Sequence, residues 1–168
     1  MPITGKAIKF GDNINTDVII PGKYLELIDP EELGRHALEG LDPTFAQRAK
    51  EGVILIGGVN FGCGSSREQA AIALKSAGVR CVLARSFARI FYRNAINIGL
   101  PALECEGISE KTTEGDLLSV DLKTGTIQNK TRGTNLRASP LPEFILRLLE
   151  EGGLIPHVRG LIGKNERL

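Results

Sequence analysis

A chain of 168 residues, 42% hydrophobic and 24% charged, is long enough to bury a proper core and too apolar to stay unfolded. Its 21 basic and 20 acidic side chains leave a net charge of +1, scattered without long blocks, which gives no electrostatic case for nucleic acid or anionic lipid. No apolar run is long enough to span a bilayer, and residues 1–6 lack the apolar core of a secretory signal, so the expectation is a cytoplasmic protein.

In chain order, residues 7–10 read as a first strand, and residues 11–17 as a polar loop of side chains that hydrogen-bond their own backbone. Val18, Ile19 and Ile20 make a short β-branched run that Pro21-Gly22 ends. Residues 23–28 fit an extended loop or one turn of helix. Asp29-Pro30 and Asp42-Pro43 each announce a short helix, with aspartate as N-cap and proline as first helical residue, and Glu32 completes a capping-box pattern in the first. Gly40 and Gly52 are natural stops. His36 reads as a surface or half-buried helix residue.

From Val53 the pattern becomes β-α-β-α-β: a strand over 53–56, a helix over 68–77 closed by Gly78, a strand over 79–84, a helix over 87–97 with Ser86 as N-cap and Gly99 as stop, and a strand over 100–104. Such alternation predicts parallel strands with helical crossovers. Residues 117–122 and 126–130 then form a hairpin through Lys123-Thr124-Gly125. Residues 141–150 carry helical spacing, and residues 160–168 read as a loose tail. No repeat or linker divides the chain, so residues 1–168 are expected to be a single domain. Three cysteines in separate segments, Cys63, Cys81 and Cys105, suit neither a disulfide framework nor metal-ligand spacing. With His36 and His157 as the only histidines, a metal site made wholly from this chain is not expected.

The chemistry concentrates in residues 57–71, G-G-V-N-F-G-C-G-S-S-R-E-Q-A-A, a glycine-dense turn between strand and helix. Gly62 and Gly64 allow close approach of the backbone. Ser65, Ser66, Arg67 and the amides of the helix start converge on one point, which suits an anion. Equally, Ser66 to Gln69 is a capping box and Glu68 complements the helix dipole, so a plain helix start stays open on local chemistry. The stretch has neither the G-K-[ST] ending of a nucleotide-hydrolysing loop nor a G-x-S-x-G elbow. Neither histidine is near it in sequence. Ser65 would therefore act as a base only if amides, Arg67 and a cationic centre on a partner stabilised its alkoxide.

Three ordered stretches, D-N-I-N-T-D-V-I-I-P-G-K-Y-L (12–25), N-F-G-C-G-S-S-R-E (60–68) and S-F-A-R-I-F-Y-R-N-A-I-N-I-G-L (86–100), resemble signatures of the aconitase superfamily swivel domain. The likeness is to its free-standing form, the small subunits of isopropylmalate isomerases and homoaconitases, over residues 5 to about 157. The resemblance implies an α/β swivel domain, a β/β/α barrel-like fold with a parallel β-α-β core and a β-hairpin. It further implies a hydro-lyase of leucine biosynthesis that moves a hydroxyl between adjacent carbons of a dicarboxylic hydroxy acid. The chain would be active only in a hetero-oligomer with a large subunit, whose [4Fe–4S] cluster binds the substrate hydroxyl and carboxylate.

By the same resemblance, Ser65 is the proton-abstracting base, and Ser66 and Arg67 bind a substrate carboxylate beside Gly64. Asp17 is an active-site acid that pairs with groups of the large subunit, its alternative being a loop-capping aspartate. Cys63, where aconitases have an acidic residue, reads as loop packing, and Gln69 stands where many relatives have histidine. Arg89 and Arg93, with Asn94 and Asn97, face either the site or water. Specificity is associated with the segment Tyr24, Leu25, Glu26 and Leu27. A glutamate repels the third carboxylate of a homoaconitate-type substrate, and Leu25 or Leu27 would line an apolar pocket, which favours isopropylmalate. The rivals are homoaconitate, cis-aconitate or dimethylmalate as substrate, and a non-catalytic anion-binding module.

Overall fold

Val53 to Ile56, four apolar residues with no polar alternation, are buried along their whole length, as a strand covered on both faces must be. In the computed structural model, which describes residues 1–165, this strand, β2 (Val53–Ile56), lies between β1 (Ile3–Lys9) and β3 (Val79–Ala84) and is parallel to both. β4 (Ala102–Glu104) extends the parallel set beyond β3.

β1 begins earlier than its apolar pattern indicates, because it has two partners. Lys6 to Lys9 pair with β2, while Ile3 to Lys6 run antiparallel to β5 (Leu117–Asp121). This strand joins the parallel half to an antiparallel meander of β5, β6 (Thr126–Asn129) and β7 (Thr134–Arg137). The hairpin thus has a third strand. Only Leu136 of β7 is buried, so its sequence carries no alternation to read. The seven strands, in the order β4-β3-β2-β1-β5-β6-β7, curl until Ser139, just beyond β7, donates its N–H to the Glu104 carbonyl on β4 at 3.0 Å. The barrel-like expectation takes this half-barrel form.

The two faces of β2 serve two cores. Ile54 and Ile56 point into the curl with Leu83, Leu118, Val120 and Ile127. Val53 and Leu55 meet the helices on the outside. Each fully buried Ile or Leu contributes about 2–3 kcal/mol of transfer free energy. The outer layer consists of α1 (Thr16–Ile19), a 3₁₀ turn at Gly22–Tyr24, α2 (Pro30–Arg35), α3 (Phe45–Ala49), α4 (Glu68–Ala77) and α5 (Arg89–Asn97). A short α6 (Ile108–Lys111), which the sequence pattern did not announce, follows β4, and α7 (Glu143–Glu150) matches the expected helix.

Several local expectations change. Val18 and Ile19 of the β-branched run are helical, because Asn15 accepts the Val18 N–H on Oδ1 at 2.8 Å and caps a single turn that ends at an extended Ile20. Asp29 caps α2 as expected by accepting from the Glu31 N–H, but α2 stops at His36, ahead of Gly40. α3 starts at Phe45, past Pro43, since Asp42 holds both the N–H and the hydroxyl of Thr44 in a turn. Ser86 does not cap α5; its Oγ accepts from the Asn60 N–H instead, and α5 starts later, at Arg89. Much of the segment read as a loose tail is helical, within α8 (Leu154–Asn165), whose Leu154, Val158, Leu161 and Ile162 recur at helical spacing. Residues 166–168 lie outside the described residues.

Candidate active site

The glycine-dense loop leaves β2 and is anchored by one aromatic side chain. Phe61 is fully buried, bonds through its backbone to the Ser86 carbonyl and the Ala88 N–H at 3.0 and 2.9 Å, and packs its ring 5.2 Å from that of Phe91. The backbone must then reverse against α5. Gly62 does so at φ +80°, where an added Cβ would fall 2.1 Å from Phe91 Cγ. With Phe61 pulled inward, Gly64, Ser65 and Ser66 emerge exposed.

A second segment, leaving β1, closes on this loop from the side. Gly62 donates its N–H to the Ile14 carbonyl at 2.7 Å, and Thr16 donates its own to the Cys63 carbonyl at 2.8 Å. The Thr16 hydroxyl, in a residue 2% exposed, donates to the Ser65 carbonyl at 2.9 Å. Arg67 reaches back the other way. Its guanidinium donates to the Ile20 carbonyl at 3.3 Å and pairs with Asp17. Arg67 is largely buried and Asp17 largely exposed, so one end of the pair is fixed and the other faces solvent. The structure therefore brings together Ser65, Ser66, Arg67, Gly64 and Asp17.

The histidines are engaged elsewhere. His36 meets Glu39 at 2.8 Å and stacks on Tyr24 with ring centroids 3.8 Å apart; His157 meets Glu151 at 2.7 Å. Neither imidazole is bonded to the Ser65 loop. The bond at Ser65 is the one its carbonyl accepts from the Thr16 hydroxyl, and the guanidinium two residues on, at Arg67, is paired with Asp17.

The segment expected to set specificity borders Arg67: a Cβ placed on Gly22 would sit 3.7 Å from Arg67 Nη2. Tyr24, Leu25 and Leu27 are half-buried and pack against the outer core, while Glu26 is exposed. Ile28, which the sequence reading left without a role, is 92% exposed beside it. Its apolar character in an exposed, proline-flanked turn was the available signal. Arg89, Arg93 and Asn97 open instead onto a groove of about 540 Å³ between α5 and α7, with Tyr92, Glu104 and Phe144.

The three cysteines do not gather into one ligand set. Cys81 and Cys105 lie inside the curled sheet, burial pushes the Cys81 thiol up, and Cys63 is half-exposed in the loop. Among the described residues no three His, Cys, Asp or Glu side chains gather to hold a metal, so these residues do not fit an iron–sulfur cluster.

Comparison with known proteins finds the Aconitase C-terminal domain family matching residues 40–107. The isopropylmalate/citramalate isomerase small subunit of Methanocaldococcus jannaschii is 53% identical over 98% of this chain and 98% of its own length. The 3-isopropylmalate dehydratase small subunit of Caldanaerobacter subterraneus subsp. tengcongensis is 57% identical over 92% of this chain and 96% of its own. A crystal structure of 3-isopropylmalate dehydratase from Methanocaldococcus jannaschii superposes with a TM-score of 0.91 at 42% identity, covering 99% of each chain.

Proposed function

Because this chain belongs to the family of 3-isopropylmalate dehydratase small subunits, within the aconitase superfamily, we propose that its Ser65–Arg67 loop is one half of an active site completed by a large subunit. The chain is the small subunit of a hydro-lyase of leucine biosynthesis that interconverts 2-isopropylmalate and 3-isopropylmalate by dehydration and rehydration. A small subunit works with a large one. In this reading the large subunit carries the family's [4Fe–4S] cluster, in keeping with the poor fit of this chain's cysteines, and the assembly is cytoplasmic, in keeping with three free thiols.

Within this chain the division of labour is as follows. Ser65 takes the proton from the carbon next to a carboxylate and returns it on the other side of the reaction. Ser66, Arg67 and Gly64 receive that carboxylate, Arg67 through the guanidinium nitrogens not committed to Ile20 and Asp17. Asp17, exposed at the end of the ion pair, is the group that meets the large subunit. Tyr24, Leu25, Glu26 and Leu27 shape the specificity segment. The observation that carries the reading is the convergence of one segment, residues 14–20, on Ser65 and Arg67 together, with both serines left exposed. A capped helix start needs none of these long-range ties, and neither serine serves as side-chain cap: Arg67 occupies that position.

The test is Ser65→Ala, assembled with the large subunit and its cluster. Turnover should fall at least 1000-fold while isopropylmalate still binds; near-normal turnover removes the proposed base. A second reading, that citramalate is also a substrate, is favoured by the name of the Methanocaldococcus jannaschii relative. Measuring both acids with the same assembly separates the two.

A further inference from the structure

The Thr16 hydroxyl is buried, yet it makes no bond within its own helix; it reaches the carbonyl of Ser65, 49 residues away, at 2.9 Å. That carbonyl belongs to the peptide joining Ser65 to Ser66. In a planar trans peptide the C=O and N–H point in opposite directions, and all peptides of the described residues are trans. Holding the Ser65 oxygen inward therefore turns the Ser66 N–H outward, onto the face where both serine side chains are exposed. Thr16 is itself held: its N–H is bonded to the Cys63 carbonyl at 2.8 Å, and Asn15 caps the turn it starts. The neighbouring Gly64 lies beside this bond: a Cβ there would be in van der Waals contact with the Thr16 hydroxyl, at 3.4 Å, and the glycine's own backbone is left-handed, at φ +97°.

We propose that Thr16 is a positioning residue: through the Ser65–Ser66 peptide it aims the Ser66 N–H at the charge that forms on Ser65 Oγ. It touches neither substrate nor the reacting atoms. Its effect is on how easily Ser65 is deprotonated, because a donor fixed beside an oxyanion favours the charged form without reorganising at the moment of reaction. The proposal rests on Ser65 being the base.

The test compares Thr16→Val, which keeps the branched shape and loses the donor, with Thr16→Ser, which keeps the donor and loses the methyl, each assembled with the large subunit. Thr16→Val should lower kcat about 100-fold, the cost of a misaimed group one step from the chemistry. KM should stay within threefold, and the rising limb of the kcat–pH profile should move to higher pH as the base becomes harder to deprotonate. Thr16→Ser should restore both kcat and the limb. An unmoved limb, an effect confined to KM, or a serine variant as impaired as the valine one overturns the proposal, the last because it marks packing as the role. Ser65→Ala in parallel separates the premises: if that variant turns over, the base assignment falls, and the Thr16 proposal with it.

Discussion

Gly62→Ala should unfold the platform on which Ser65 stands. The glycine sits at φ +80°, and the added methyl carbon would lie 2.1, 2.3 and 2.7 Å from Cγ, Cβ and Cδ1 of Phe91. Phe91 cannot yield easily. It is 2% exposed, with Phe61 edge-on at 5.2 Å and Phe87 stacked at 6.2 Å. The left-handed conformation alone costs a residue with a Cβ about 1–2 kcal/mol, and forcing a methyl into a filled core costs a further ~1–3 kcal/mol. The sum, about 2–5 kcal/mol, is a large part of a domain's stability. Urea unfolding of the isolated chain, followed by far-UV circular dichroism, measures it, with Gly11→Ala as the control. Gly11 has no atom within 4 Å of the added carbon and no positive φ, so that variant should stay within about 0.5 kcal/mol of the parent. If Gly62→Ala is no less stable than Gly11→Ala, the close approach to Phe91 does not govern the loop.

Two further predictions concern charge. Glu26 is exposed on the segment beside Arg67, so Glu26→Arg should raise the ratio of kcat/KM for homoaconitate over isopropylmalate by about tenfold, about 1.4 kcal/mol of altered discrimination; an unchanged ratio in the assembled enzyme places Glu26 outside the substrate's field. Asp116 accepts from the Thr113 N–H, Asn129 Nδ2 and Arg132 Nε. The Thr113 amide foremost, with those two side chains, holds its carboxyl below the usual carboxylate range. A depressed folded-state pKa stabilises fully above the unfolded value, about 3.9, and that stability disappears as pH falls through the folded one. The stability gap between parent and Asp116→Asn should thus be flat above about pH 5 and narrow on further acidification. A gap independent of pH down to 2 contradicts the linkage.

The parallel half of the sheet was legible because its code is local. Val53 to Ile56 is apolar throughout, Gly78 ends a helix in left-handed geometry, and strand and helix periods alternate without interruption. The loop chemistry was legible as well, since Ser65, Ser66 and Arg67 are consecutive. What escaped is what depends on partners far along the chain. Val18-Ile19-Ile20 has β-branched character, but the Asn15 cap puts Val18 and Ile19 in a helical turn and leaves only Ile20 extended, with Thr16 and Ile20 on either side tied across 49 and 47 residues to Ser65 and Arg67. The early start of β1 depends on pairing with a strand more than 100 residues away. Thr16 itself lay inside a recognised motif, yet as one small polar residue in a polar loop it had nothing to mark it until the Ser65 carbonyl was seen to be its acceptor.

Both segments of the candidate site, the one that carries Thr16 and the one that carries Ser65, spring from the same end of the sheet because β1 and β2 run the same way and pair in register, Lys9 opposite Ile56. An antiparallel pair would have delivered them to opposite ends. Strand pairing consequently acts as the gauge that sets how far Thr16 stands from Ser65. A slip of one residue between these strands would slide one arm along the other by about 3.3 Å, more than the whole 2.9 Å span of the bond it has to make. The alignment of the two segments is thereby stored several residues away, in the ladder of hydrogen bonds between β1 and β2.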